Sequence, residues 1–373
     1  MTTHHIYLVP GFFGFSNLGG ITYFHHVREA LEEEFEKRGY NAVAHGVSTY
    51  PTASIRSRTR HLVEQVEESA GGDGPIHLIG HSTGGLDTRM MVTPSVDLKT
   101  DVDIEHFAER TRSVVTVATP HLGTPIASFF NSIFGQRLLW ALSLGTIYTL
   151  RFGKLPLRAL FGLMGVLTRI DRKLGLENTI LEQFYRELFS DFGQERGVEI
   201  NDFLNHIRSD QQAVGQLTPG AIDLFDGTTQ DRPSARYGCV LTRAPGITLK
   251  AATSVRFDIY SHASHALFRL MQALATRGSS YFDIAPKQES KLEDAYDELP
   301  TARSNDGVVP TLSQLRGELI HAARADHLDV CGHFRDPDHD PPHVDWFVSG
   351  SEFRRPQFDA LWSDVADFLL RQD

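Results

Sequence analysis

Short apolar runs and helically spaced apolar positions alternate through the first third of the chain. Ile6-Tyr7-Leu8-Val9 is a compact run of strand formers closed by Pro10-Gly11. Val27, Ala30, Leu31 and Phe35 then recur at helical spacing up to Gly39, a natural helix stop. Asn41 to Val47 fits a strand. Ile55, Leu62, Val63 and Val66 mark a second amphipathic helix that ends at Gly71-Gly72. A buried-type strand over Pro75–Ile79, a short helix over Leu86–Val92 and a β-branched strand over Ser113–Ala118 complete the rhythm. Strands separated by helices of this length predict an α/β fold, a mostly parallel sheet with helices on both faces.

From Pro125 to about Arg232 the pattern becomes helical and unusually apolar, with Phe129, Phe130, Ile133, Phe134, Leu138 and Leu139 close together. Strand-like sequence resumes at Arg236–Thr242. A helix over Ala266–Ala275, a strand over Glu318–Ala322 and a final helix carrying Phe358, Leu361, Trp362, Val365, Phe368 and Leu369 follow. The expected organisation is therefore a sheet domain in two parts, residues 1–124 and 236–373, interrupted by a helical cap over residues 125–235.

Composition narrows the class. The chain has 373 residues and 24 Phe, enough for a large core, and its formal charge is −11. A net acidic surface argues against nucleic acid as the main partner, because counterion release requires basic groups. Charge is uneven, however. Residues 126–173 hold seven basic side chains (Arg137, Arg151, Lys154, Arg158, Arg169, Arg172 and Lys173) against Asp171, a local charge of +6. A basic, apolar helical segment fits either a cap packed on its own core with arginines at the rim or a contact with a lipid interface. Two cysteines, Cys239 and Cys331, do not make a disulfide framework and are expected as small buried side chains. No apolar run reaches the roughly 18 residues that span a bilayer. Met1-Thr2-Thr3-His4-His5 lacks the basic start and long apolar centre of a signal peptide, so the expectation is a protein kept inside the cell unless a leader has been removed.

Gly80-His81-Ser82-Thr83-Gly84 fits Gly-x-Ser-x-Gly and falls between a strand and a helix, the context in which that motif exposes a nucleophilic hydroxyl. Ser82 is thus the candidate nucleophile. A serine hydroxyl needs a base, and the base needs an orienting carboxylate; on this topology they follow in the order acid, then histidine. Asp306, in Ser304-Asn305-Asp306-Gly307, and His327, the first histidine after the last strand, satisfy that order. His333, His339 and His343 are rivals for the base. Oxyanion donors are expected at the Thr83 amide and at the Phe12 amide in the loop that ends the first strand. Phe13 and Phe15 are candidates for an apolar acyl pocket or for ordinary core. Asp87 and Arg89, just beyond the nucleophile, are expected as a structural ion pair. Asp336, Asp338, His339, Asp340, His343 and Asp345 form an acidic run able to ligate a metal or simply to be solvated.

Taken together, Ile6–Phe15, Gly80–Leu86, Asn305-Asp306-Gly307-Val308-Val309 and His327-Leu328-Asp329 resemble the α/β-hydrolase lipases of bacteria, nearest to triacylglycerol lipases with a helical lid. The likeness lies in residues 5–124 and 236–335. It implies the same triad, Ser82, Asp306 and His327, and the same oxyanion donors, Phe12 and Thr83; separately, no cofactor is expected. In some such lipases a structural calcium sits near the catalytic histidine, and Asp329 occupies the matching place. One departure is Pro10-Gly11 where His-Gly is usual, which removes a hydrogen bond that braces the oxyanion loop.

The expected activity is hydrolysis of esters with apolar acyl chains, rising with pH through a limb near ~6–7 as the base becomes neutral. Ester or lipid substrates, and a transient lipid interface at residues 126–173, are the expected partners. A polyester or short-chain ester hydrolase and an acyltransferase are the alternatives within the same chemistry. A binding module that kept the fold and lost the reaction is the alternative outside it.

Overall fold

The structure, a computed structural model, describes residues 2–12, 17–18, 21–72, 74–131, 139, 141–145, 148, 156–167, 201–207, 210–246, 259–276, 284–337, 345 and 348–371. Phe13, Phe15, His339, His343, Asp338, Asp340 and every basic side chain of the 126–173 segment except Arg158 lie outside them.

Six strands form one sheet: β1 (Thr3–Val9), β4 (Asn41–Gly46), β5 (Ile76–His81), β6 (Thr111–Val117), β7 (Arg236–Thr242) and β8 (Glu318–Ala323). Their order is β4-β1-β5-β6-β7-β8, and every neighbouring pair is parallel. Asn17–Leu18 and Ile21–Thr22, strands β2 and β3, pair separately as a short antiparallel ribbon. After β1 the chain moves outward to the β4 edge; from β5 onward it moves the opposite way. The reversal leaves a crevice beyond the carboxyl ends of β1 and β5, where α/β sheets bind ligands. Val9 pairs with Gly80 across it, so Pro10–Phe12 emerges beside His81–Thr83.

Alternation along β1 divides the core. Ile6 and Leu8 pack with α1 (Val27–Lys37) and the carboxyl-terminal helix Arg355–Leu370 on one face. Tyr7 and Val9 pack with α2 (Ile55–Ser69) and α3 (Thr83–Met91) on the other. Period-2 burial on a two-sided sheet explains why the strand reads as continuously apolar. Trp362, fully buried on the terminal helix, donates its Nε1–H to the Val330 carbonyl at 3.2 Å. This ties that helix to the loop after β8.

Three helices differ from the periodicity. α3 begins at Thr83, not Leu86, because Gly84 and Gly85 carry no apolar signal. Ile104–Arg110, α4, buries Phe107 and Ala108 in its single pair of turns and is started by the Asp103 carboxylate accepting the His106 N–H at 3.2 Å. Helix Ile259–Ala275 begins seven residues before Ala266, since its first turns bury Ser261 and Ser264, polar positions that a hydropathy pattern does not count. Between β6 and β7 the described residues hold helices, including α5 (Pro125–Phe130) and α6 (Leu157–Leu167), and no strand. Both pack against Ile259–Ala275, and Phe130, Leu142, Leu160 and Leu163 join the same apolar cluster as the sheet's α1 face. Cys239 and Cys331 are buried and unbridged.

Candidate active site

Ser82 joins β5 to α3 with φ 54° and ψ −126°, a conformation rare for a side chain bearing Cβ. Two bonds hold it there. Its N–H donates to the Val117 carbonyl at 2.8 Å, and its carbonyl accepts the Gly85 N–H at 3.1 Å. The glycine before it is required by close approach: a Cβ at Gly80 would lie 2.3 Å from the Gly84 oxygen. Thr83 opens α3, so its amide has no intrahelical acceptor and points with the positive end of the helix dipole.

Asp306 and His327 meet above the ends of β7 and β8. His327 Nδ1–H donates to Asp306 Oδ2 at 2.8 Å, and the His327 N–H donates to the Asp306 carbonyl at 3.1 Å. The carboxylate has no solvent exposure. It is satisfied by four further donors: Thr242 Oγ1 at 2.7 Å, Gln314 Nε2 at 3.2 Å, and the Val308 and Val309 amides at 2.9 and 2.7 Å. Such a group remains an acceptor and fixes the imidazole tautomer, with the proton on Nδ1 and the lone pair on Nε2. His333 does not compete for Asp306: its Nε2–H donates to the Tyr23 carbonyl at 2.7 Å.

Ser82, Thr83, Phe12 and His327 line one cavity of about 130 Å³, whose remaining wall is mainly aliphatic and aromatic, including Ile126, Phe130, Leu142, Leu217, Met271 and Val309. The cap helices thus supply part of the wall above the sheet. The loop after β1 is anchored at each residue. Arg58 donates to the Pro10 carbonyl at 2.7 Å, and the Thr52 N–H donates to the Phe12 carbonyl at 3.1 Å. Between them the Tyr23 hydroxyl packs against Gly11, 2.6 Å from where a Cβ would stand. Arg58 thereby braces a loop that lacks the His-Gly start, a contact that sequence offers no way to see because 48 positions separate the partners.

The expected Asp87–Arg89 pair is corrected. Residues two apart on a helix do not face each other. Asp87 pairs with the fully buried Arg58 at 2.8 Å, whereas Arg89 pairs with Asp226 at 2.9 Å. Burial pushes the Asp87 carboxyl up to about 6 against the pull of the Arg58 guanidinium. Both pairs are structural, one fixing α3 to α2 and the other fixing α3 to the cap.

Beside the histidine, carboxylate oxygens of Asp326, Asp329 and Asp345 lie within 4.8 Å of one another. Asp345 comes from the acidic run; Asp326, directly before His327, was not singled out by the sequence. Asp326 Oδ1 accepts the Leu328 and Asp329 amides, while its Oδ2, buried, takes no hydrogen bond. Asp329 Oδ2 accepts from the Asp326 amide and the Ser351 hydroxyl, both at 2.8 Å. Burial raises the Asp326 carboxyl to about 6 and that of Asp329 well above its ordinary value. An all-oxygen donor set with an orphaned buried carboxylate oxygen fits a hard divalent cation such as calcium.

An all-parallel sheet reversing direction between β1 and β5, with a nucleophile-type turn after β5 and an acid–histidine pair after β7 and β8, defines an α/β-hydrolase fold. The family model DUF676, described as "Putative serine esterase", matches residues 17–150. Over 134 residues the chain is 28% identical to a triacylglycerol lipase of Vibrio cholerae, a match that covers 35% of this chain and 37% of that lipase. Lipase 1 from Pelosinus fermentans superposes over 100% of both chains with TM-score 0.51 and 17% identity. EstA from Clostridium botulinum, at TM-score 0.49 and 18% identity, covers 97% of this chain and 87% of its own. The chain is similar to bacterial lipases and esterases, and it shares their fold.

Proposed function

We propose that the chain is a serine carboxylester hydrolase, a lipase or esterase for esters with apolar acyl chains. The observation that carries this reading is one apolar cavity lined by both Ser82, on its left-handed turn, and His327, held by Asp306. His327 Nε2 takes the Ser82 proton as Oγ attacks the ester carbonyl, and the tetrahedral oxyanion forms against the Phe12 and Thr83 amides. Its collapse breaks the C–O bond, His327 returns the proton to the leaving alcohol, and an acyl-enzyme remains. Water, deprotonated by the same histidine, releases the acid. Asp306 accepts the Nδ1–H bond throughout and stabilises the imidazolium without taking the proton.

The aliphatic wall suits an acyl chain, since it offers few partners to a polar one. The described part of the segment between β6 and β7, which gives this wall Ile126, Phe130 and Leu142, is read as a lid over it. On α6, Leu157 and Phe161 are 40% and 51% exposed beside Arg158, an apolar and basic face suited to a lipid surface. Asp326, Asp329 and Asp345 would hold a calcium ion, whose charge would fix the loop that carries His327; no proton passes through it.

A panel of p-nitrophenyl esters from acetate to palmitate, run across each ester's solubility limit, tests the reading. Medium and long chains should be preferred, with a jump in rate once the ester forms an interface. Ser82→Ala should abolish the activity in a folded protein. Equal hydrolysis by Ser82→Ala would overturn the reading, and smooth saturation through the solubility limit would remove the lid.

A further inference from the structure

His81 occupies the variable position of the Gly-x-Ser-x-Gly turn, ends β5 and has no solvent exposure. Its Nε2 lies 2.8 Å from the His327 carbonyl oxygen, and its Nδ1 lies 2.7 Å from the Tyr23 hydroxyl. The two imidazole rings are 4.6 Å apart between centroids. Tyr23 in turn packs against Gly11 and lines the cavity that holds Ser82. A Cβ at Gly11 would sit 2.6 Å from the Tyr23 hydroxyl and 2.8 Å from Ser82 Cβ, so glycine there is what admits the contact.

The direction of every bond in this chain is forced. A carbonyl oxygen only accepts, so the His81 proton resides on Nε2 and its Nδ1 is a lone pair. The Tyr23 hydroxyl must then donate to Nδ1, with its oxygen packed against Gly11. Chemistry agrees with that polarity. Burial pushes the Tyr23 phenol well above its ordinary value, so it keeps its proton, and pushes His81 well below its own, so it stays neutral beside His327.

We propose that Tyr23 and His81 are positioning residues that couple the oxyanion loop to the backbone of the general base. The path runs from Gly11, against which the phenol packs, through the Tyr23 hydroxyl and the His81 ring to the His327 carbonyl. It crosses directly behind Ser82 and ties together segments from opposite ends of the chain. The loop that presents the Phe12 amide and the loop that presents the His327 imidazole are thereby held to one common scaffold. Neither residue touches the reacting atoms in the mechanism above; each acts through what it holds. An error of about 1 Å in such an arrangement costs on the order of 100-fold in rate, so a modest loosening is readable in kinetics.

This inference rests on the hydrolase reading, and the test separates the two. The wild type is first assayed on a soluble p-nitrophenyl ester, with Ser82→Ala as control. Absence of Ser82-dependent turnover overturns the hydrolase reading itself. With turnover established, Tyr23→Phe removes only the hydroxyl. Expressed per phosphonate-titrated active site, kcat should fall about 10-fold with KM within about twofold, and the rate of Ser82 phosphonylation should fall in parallel. His81→Gln, which can both donate to the carbonyl and accept from the phenol, should recover most of the rate lost in His81→Leu. Wild-type kcat and phosphonylation rate in Tyr23→Phe would overturn the proposal. So would a loss that disappears on division by titrated sites, because that reports only misfolded protein.

Discussion

Histidines sit at both ends of the same sheet and in opposite circumstances. At the carboxyl ends of the strands, His327 donates to a carboxylate and His81 donates to a carbonyl, so each ring has a fixed polarity set by an acceptor. Toward the amino ends of β1 and β5, His4 meets His77 at 2.9 Å, and His5 meets His45 of the edge strand β4 at 3.2 Å, ring against ring. His77 also bonds the Ser113 hydroxyl at 2.7 Å, and no carboxylate is bonded to either pair among the described residues. The difference teaches what each end is for. The imidazole beside Asp306 has a carboxylate acceptor for its Nδ1–H. An imidazole buried against another imidazole can remain only neutral, which serves packing in neutral solution and penalises acid.

The largest effect should come from removing the acceptor at the functional end. Asp306→Asn keeps the shape but offers an amide to His327, which favours the wrong tautomer. A fall in kcat of about 10⁴-fold with little change in unfolding temperature is expected. Activity within tenfold of wild type would mean the pair is structural, like its counterparts at the other end.

Second in size is the acid limb of stability. Burial, reinforced by His4, lowers the His77 imidazole to about 3. Because the folded state refuses a proton that the unfolded chain binds near 6.5, this contribution is complete above pH 6.5 and is lost progressively as pH falls toward 3. The full loss is on the order of 5 kcal/mol for one such group. Urea unfolding of His77→Gln between pH 7 and pH 4 should show a shallower decline than wild type; parallel curves would assign the acid sensitivity elsewhere.

Smallest is the effect of calcium on the Asp326, Asp329 and Asp345 cluster, where carboxyl groups crowd one another as the imidazoles do at the far end. Calcium at about 100 times its dissociation constant should add about 3 kcal/mol, seen as a raised unfolding temperature that a chelator reverses. No shift at millimolar calcium would leave the three carboxyls as a proton-sharing group.

The contrast also explains what sequence could and could not reveal. The alternation of strands and helices was legible because burial on both faces writes itself as apolar runs. Ser82, Asp306 and His327 stood out as candidates because each lies in a loop just beyond a strand; the structure bonds His327 to Asp306 and sets His327 and Ser82 on one cavity. The surrounding supports were not. Arg58 reaches Pro10, Thr242 reaches Asp306, and Tyr23 reaches His81 through contacts between residues far apart in the chain, with no periodicity to mark them. Asp87 and Arg89 misled for the converse reason: neighbours in sequence, they face different sides of α3.

The central claim is that Ser82 is a nucleophile activated by His327. Its most direct test is labelling by a fluorophosphonate followed by peptide mass spectrometry. The account predicts one adduct per chain, on Ser82, formed rapidly by wild type and at least a hundredfold more slowly by His327→Ala. Labelling that is absent, lies on another residue, or proceeds equally fast without the imidazole would contradict it.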